Sequence, residues 1–374
     1  MKFLHIMSAD IGETFQSIKF LTENFDKNDH SFLIIATREY VIANNPILLS
    51  FPQLIYIEDL KPGKISSWKR FRFYRELFGK AQHIIWHSYY PMKGQVLPIV
   101  SLSKPFLQKM VWVEYGLDLF RFQDKKRKWK NRIPWTVRTQ VGSIGVTIES
   151  DKEAYSDIYG SNREMFLTPL PIAESHIDLL KRSLNVSVNH PVPVVLLGYD
   201  RFISSRQMKI IALLKGFDMN RFKVLLPHTF YMNWERSRYI SSYTVKQLRT
   251  AGSKILQYKI PILCKTNVPE ETYFKTLSTV DIAIFDGQRP LSMSMLLFLL
   301  YLNKKVFLPS DSYLYGFLIK QGVKIYDTKA IPEMDIDLFL ELEALKNNEN
   351  AWVKNHLDSN FIKNCWEALF QTLN

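Results

Sequence analysis

What most constrains this chain is a rhythm that runs twice. Apolar runs of four to six residues alternate with longer amphipathic stretches, prolines break the series, and it then begins again. In the first series Phe3–Met7, Phe32–Ala36, Leu54–Ile57, His83–Trp86, Met110–Val113 and Gly145–Ile148 have the length and character of parallel strands covered on both faces. Thr14–Phe25 and Trp68–Phe78 lie between them as helices. Such alternation calls for an α/β sheet with right-handed crossovers. The break falls at Thr168-Pro169-Leu170-Pro171 and Asn189-His190-Pro191-Val192-Pro193, rigid extended segments of the kind that join domains. From there Val194–Gly198, Phe222–Leu226, Lys254–Gln257, Val280–Phe285 and Lys305–Leu308 read as strands, and Ser205–Leu214, Ser237–Ala251, Glu270–Ser278 and Ser292–Tyr301 as helices. The expected organisation is α/β, with Rossmann-like domains over residues 1–180 and 190–350. Residues 351–374 form a last helix that packs back on the body. A chain of 374 residues has the length for two such cores.

Charge narrows the partners. Lys and Arg total 49 against 36 Asp and Glu, a net charge of +13, which implies an anionic partner: nucleic acid, an anionic membrane or a phosphorylated substrate. With 47% hydrophobic and 23% charged residues, general disorder is excluded. The two cysteines, Cys264 and Cys365, are far apart and form no CxxC, which fits a reducing cytoplasm and no disulfide framework. The apolar stretch after Met1 is too short for a secretory leader and reads as a first strand. Near the other end the longest strongly apolar run is Met295–Leu302, against the ~20 residues of a spanning helix, so membrane contact is expected to be peripheral.

Three groups of residues carry candidate chemistry. Two segments mix basic and aromatic residues. One is Trp68–Arg75 with Arg70 and Arg72. The other runs from Arg121 to Arg138, with Lys125, Lys126, Arg127, Lys128, Lys130 and Arg132 around Trp129. Both suit the headgroup region of an anionic bilayer. The same residue types serve single-stranded nucleic acid, or simply a solvated face. The second group lies at strand ends of the first series: His5, Asp10, His87, and Tyr115-Gly116-Leu117-Asp118 with Glu114 behind it. Ligands of open α/β sheets bind at such ends. Asp10 or Asp118 could act there as general base, or merely cap the next helix. The third group lies in the second series. Gly198 ends one strand, Pro227-His228-Thr229-Phe230-Tyr231 follows another, and Asp286–Ser294 joins a strand to a helix. Arg289, Ser292 and Ser294 at that helix start suit a pyrophosphate, although Ser292 serves equally as an ordinary N-cap. No Walker A motif, GxGxxG, HExxH or Cys/His cluster occurs, so a leaving nucleotide is expected to rely on cationic side chains and helix dipoles, with no cofactor and no metal.

Several of these residues together resemble the pattern of glycosyltransferase family 56. They are His5-Ile6-Met7-Ser8-Ala9-Asp10-Ile11, the strand ending in His87, and Trp112-x-x-Tyr115-Gly116-x-Asp118-Leu119-Phe120. Val224-Leu225-Leu226-Pro227 with the following Tyr231, and Phe285-x-x-Gln288, complete the set. The order of these short motifs over roughly residues 1–330 carries the likeness. The resemblance implies a GT-B fold, two Rossmann-like domains facing across a cleft, and transfer of N-acetylfucosamine, or another amino- or deoxy-sugar, from TDP to a polyprenyl-diphosphate-linked saccharide. It also implies a place at the cytoplasmic membrane face in bacterial surface polysaccharide synthesis. The first domain would take the acceptor and the second the nucleotide-sugar. His5, Asp10, His87, Gly116, Asp118, Gly198, Pro227, Tyr231 and Gln288 match the family positions. Tyr115 stands where the pattern has Trp, and the loops after Gly198 and before Ser292 depart from it, where the donor sits. The alternatives are a polyol-phosphate transferase of wall polymer synthesis, a non-catalytic GT-B scaffold and, more distantly, a nucleic-acid binder.

Overall fold

A computed structural model describes residues 1–8, 13–35, 54–57, 67–89, 97–120, 132–160, 163–184, 192–198, 209–210, 212–225, 270–290, 292–342 and 345–373. The chain divides into two compact units, Met1–Pro171 with Ser359–Asn374, and Ile172–Asp358.

The first unit is built on seven strands: β1 Phe3–Ser8, β2 His30–Ile35, β3 Leu54–Ile57, β4 His83–His87, β5 Met110–Val113, β6 Ser143–Val146 and β7 Glu164–Leu167. They pair in parallel in the order β3-β2-β1-β4-β5-β6-β7. The order reverses between β1 and β4, the switch point at which open parallel sheets bind ligands. Central strands are mostly apolar and buried along their length, with His30, His5 and His87 as the polar exceptions. Phe3, Met7, Phe32, Ile34, Ile85, Val111 and Val113 pack beneath Ile18 and Leu21 of the helix Glu13–Asn24. The C-terminal helix Ser359–Leu373 covers the same cluster with Ile362, Trp366, Leu369 and Phe370, spaced at four, three and one residues as one stripe of a helix requires.

The second unit carries β8 Val194–Leu197, β9 Lys223–Leu225, β10 Ile282–Ile284, β11 Lys305–Leu308 and β12 Tyr326–Asp327, parallel in the order β12-β11-β10-β8-β9. Its switch point lies between β8 and β10. The helix Met293–Tyr301 that leaves β10 is buried almost all round, with seven of its nine side chains in the core, Met293 and Met295 to Leu300, though Ser294 is only half-buried.

Elements differ from the sequence reading mainly at their edges. β2 begins at His30 rather than Phe32, and β6 at Ser143 rather than Gly145, because a buried polar side chain opens each strand. β7, β12 and the helix Arg132–Gln140 carry no apolar run of four residues or more. The strand Lys254–Gln257 and the helix Ser237–Ala251 lie outside the described residues.

Candidate functional site

At the carboxyl end of β4 the chain turns sharply. Ser88 has φ of 51°, in the left-handed region that side chains with a Cβ rarely occupy. Its N–H donates to Val113 O at 2.8 Å, which ties the end of β4 to that of β5. Such strained positions collect at functional sites.

The turn after β5 is folded on two buried carboxylates. Glu114 accepts from Gly116 N with one oxygen, and from Thr147 N at 3.0 Å and Thr147 Oγ1 at 3.3 Å with the other. Asp118 accepts from Trp112 Nε1 at 2.7 Å and from Tyr115 N at 2.8 Å. Both side chains are fully buried. Burial raises the Asp118 pKa above the usual carboxylate range, and the neighbouring Glu114 charge adds to it, against the pull of Arg138. Arg138 is itself buried, its guanidinium over the rings of Trp112 (5.0 Å) and Tyr89 (5.3 Å) and bonded to Tyr89 O at 2.6 Å. The last residue of the second basic segment is therefore a core cation rather than a surface one.

Beside this turn the sheet holds a line of polar rings. His5 Nδ1 meets His87 Nε2 at 3.0 Å, His5 Nε2 meets His30 Nδ1 at 2.8 Å, and His87 Nδ1 meets Tyr115 Oη at 2.9 Å. The three histidines are buried. Burial depresses all three, His5 well below its ordinary value, His87 to about 3 and His30 to about 4, so each is neutral near pH 7. His5 and His87 stood out in the sequence; His30 did not, because one histidine opening an apolar run gives no periodic signal. Asp10 lies outside the described residues, as do Lys125, Lys126, Arg127, Lys128, Trp129 and Lys130. On the helix Ser67–Lys80 Tyr74, Leu77 and Phe78 face the core, whereas Arg72 is exposed over the Trp68 ring at 5.1 Å and Arg70 is half-buried.

In the second unit Gly198 ends β8 because nothing larger fits. A Cβ there would lie 2.5 Å from Phe285 Cδ1 and 2.8 Å from Ile284 O. β10 exits through Gly287, whose φ of 123° suits glycine alone. The loop then sets Gln288 Nε2 3.3 Å from Asp311 O, buries Arg289, and ends at Ser292. Ser292 Oγ accepts from Met295 N at 3.3 Å as the N-cap and lies 3.2 Å from Ser294 Oγ. Gln288, Arg289, Ser292 and Ser294 are thus gathered at the carboxyl end of β10 and the amino end of one helix, where backbone N–H groups and the helix dipole favour an anion. His228 and Tyr231 lie outside the described residues.

Among the described residues no group of three His, Cys, Asp or Glu side chains is arranged to hold a metal ion. The sequence does contain an Asp-x-Asp triplet, Asp335-Ile336-Asp337, which the sequence reading passed over. It serves as a helix cap: Asp335 Oδ1 accepts from Asp337 N at 2.7 Å, and Asp337 pairs with Arg221. No described helix is long and apolar enough to cross a membrane.

No protein-family model and no curated protein matches the chain. Solved structures do, over its whole length. The sucrose-phosphate synthase of Thermosynechococcus elongatus superposes with a TM-score of 0.64 at 12% identity, covering 100% of this chain and 99% of that one. HepE of Anabaena, in complex with UDP and glucose, gives 0.62 at 12% identity and covers 100% of both chains. The UDP-GlcNAc 2-epimerase of Neisseria meningitidis, bound to UDP-GlcNAc, gives 0.56 at 13% identity, covering 100% of this chain and 99% of that one. At such identities the likeness is one of fold. Two parallel α/β sheets with helices, in series along the whole chain, are the GT-B arrangement.

Proposed function

We infer that the protein is a glycosyltransferase that moves a sugar from a nucleoside diphosphate to an acceptor hydroxyl. The observation that carries this reading is the loop from Gly287 to Ser294. It presents Arg289, two serine hydroxyls and a helix start at the switch point of the second sheet, in a chain whose full-length structural likeness includes a protein holding UDP and glucose. The diphosphate would sit on that helix start, with Arg289 and Gln288 beside it, and without need of a metal. The acceptor would lie at the carboxyl ends of β1, β4 and β5 in the first unit, near Tyr115, with Asp10 two residues past β1 in sequence. Because each oxygen of Asp118 accepts a hydrogen bond, one from Trp112 Nε1 and one from Tyr115 N, its part in this reading is to hold Trp112 and Tyr115 in place. The exposed Trp68 and Arg72, and the run from Lys125 to Lys130, would meet an anionic membrane and a lipid-linked saccharide. An amino- or deoxy-sugar carried on TDP and a place at the cytoplasmic membrane face follow from the family 56 resemblance.

The test is a thermal-shift titration with UDP, TDP, GDP and CDP, then their sugar conjugates. One nucleotide at a hundred times its Kd should stabilise the fold by about 3 kcal/mol, because it binds the folded state alone. TDP as that nucleotide supports the family 56 specificity, and UDP moves the donor away from it. No shift with any nucleotide, alone or with a lipid-diphosphate acceptor, overturns the transferase reading. The likeness to a UDP-GlcNAc 2-epimerase favours a second reading, which incubation with UDP-GlcNAc alone decides: an epimerised sugar nucleotide without any acceptor would establish it.

A further inference from the structure

Four side chains of the first sheet stand on one diagonal. In the register of the sheet Phe3 is level with His30, Ile6 with Trp86, and Val113 with His87. His30, His5, His87 and Tyr115 therefore rise by two residues at each step from β2 to β1, β4 and the turn after β5. A rise of two keeps them on one face. The line climbs from the amino edge of the sheet to its carboxyl edge, roughly 20 Å at 3.3 Å per residue. The nitrogens meet pairwise, at 2.8 and 3.0 Å, and so do not converge on a point as metal ligands would.

A neutral imidazole has one N–H and one lone pair. The three bonds can then run in only two ways. In one, Tyr115 Oη donates to His87 Nδ1, His87 Nε2 to His5 Nδ1, and His5 Nε2 to His30 Nδ1. In the other every bond is reversed. Converting one into the other moves one proton across each bond and breaks none. Burial keeps the members neutral, whereas at His30 the Asp29 and Asp26 carboxylates oppose its effect and outweigh the nearby Lys2 ammonium, so the His30 end tolerates positive charge best. The C-terminal helix covers the line, with Trp366 stacked on His87 at 5.8 Å and Phe370 edge-on to His5 at 6.4 Å and to His30 at 5.0 Å, and of the three rings His30 is the least deeply buried.

We propose that Tyr115, His87, His5 and His30 form a proton relay that carries the acceptor hydroxyl's proton from the carboxyl edge of the first sheet to its amino edge beside Asp29. This rests on the transferase reading. The acceptor O–H gives its proton to Tyr115 Oη, and the oxygen's electron pair bonds the anomeric carbon. The bond from that carbon to the diphosphate breaks, its electron pair leaving with the diphosphate. In the same movement Tyr115's own proton passes to His87 Nδ1, that of His87 Nε2 to His5 Nδ1, and that of His5 Nε2 to His30 Nδ1. His30 releases its Nε2 proton to solvent. Every member ends neutral with its bond reversed. After product leaves, a proton re-enters at His30, the shift runs backwards, and Tyr115 releases one to water. Tyr115 alone touches the acceptor; the histidines act through it.

The first test is NMR of the full-length protein with ¹⁵N-labelled histidine, which reads each ring's tautomer. In the wild type all three should carry their proton on Nε2. His30→Phe removes the terminal acceptor, so His5 and His87 should both switch to the Nδ1–H form. Asp29→Asn, at a half-exposed site, should move all three rings in that direction together and serves if His30→Phe does not fold. An unchanged His87 tautomer in His30→Phe, or rings that respond singly to Asp29→Asn, overturns the relay. The second test is turnover. Tyr115→Phe should lower it by a factor on the order of 100 and abolish its solvent isotope effect, while the nucleotide thermal shift is unchanged; near-normal turnover overturns the relay. A wild-type protein that binds no nucleotide but shows the tautomer switch sinks the transferase reading and leaves the coupled line standing.

Discussion

A neutral buried histidine is a debt to pH. His5 and His87 are held far below the ordinary value of about 6.5 that they regain on unfolding, so the unfolded chain binds more protons than the folded one throughout pH 4 to 6.5. Their contribution is fully present above about 6.5 and is lost as pH falls through that window. His87, held at about 3, should cost about 2 kcal/mol between pH 7 and 5, and His5 adds to that loss in the same sense. Asp118, raised in the fold, acts in the opposite sense and regains part of this as it takes up its proton. Urea unfolding at the two pH values should show a net loss in the first unit. In His87→Phe that loss should shrink, and an unchanged pH dependence there would mean that His87 is not held neutral. Single residues of this kind were only partly legible in the sequence. His5 and His87 stand at recognisable strand ends, but what joins them to His30 is register, which no local pattern encodes.

At the scale of elements, the central strands were legible because continuous apolar runs admit little else. β7 and β12 were not: β7 is an edge strand with half-buried side chains, and β12 has two residues. The helix Arg132–Gln140 was hidden inside a basic segment, since a buried Arg138 looks in sequence like one more surface cation. Of the site, the strand ends and the Gly287–Ser294 loop were visible, whereas the inward aim of Asp118 depends on the Trp112 indole and the Tyr115 N–H that donate to it. Lys305 repeats the lesson. It opens β11, yet its ammonium is buried and donates to Leu338 O at 2.8 Å, Phe339 O at 3.1 Å and Glu341 O at 3.0 Å, closing the end of the helix Ile336–Leu340. Lys305→Met keeps the apolar stem and strips all three carbonyls of their donor. The second unit should lose about 2–3 kcal/mol, read as a lower denaturation midpoint, with the first unit unaffected. A change under about 0.5 kcal/mol would mean that water replaces the ammonium at no cost.

At the scale of the whole molecule, the first unit is discontinuous: it begins the chain and is finished by Ser359–Asn374. An apolar stripe shows in sequence that the last helix must dock, but not on which unit, because the choice rests on contacts about two hundred residues away, such as Trp366 Nε1 to Pro169 O at 3.0 Å. Ile362, Trp366, Leu369 and Phe370 are all buried against the sheet. At about 1.5–3 kcal/mol for each large apolar side chain, they contribute on the order of 6–12 kcal/mol, close to the whole stability of a domain. Ending the chain after Asp358 should therefore unfold the first unit and spare the second, even though the residues removed are the most distant in sequence. Limited proteolysis should then cut within residues 1–171 while leaving 172–358 resistant, and the buried histidines should titrate near their ordinary value. Equal protection of both units would show that the helix is an ornament on a sheet stable without it; cleavage confined to the second unit would assign the helix to the wrong sheet.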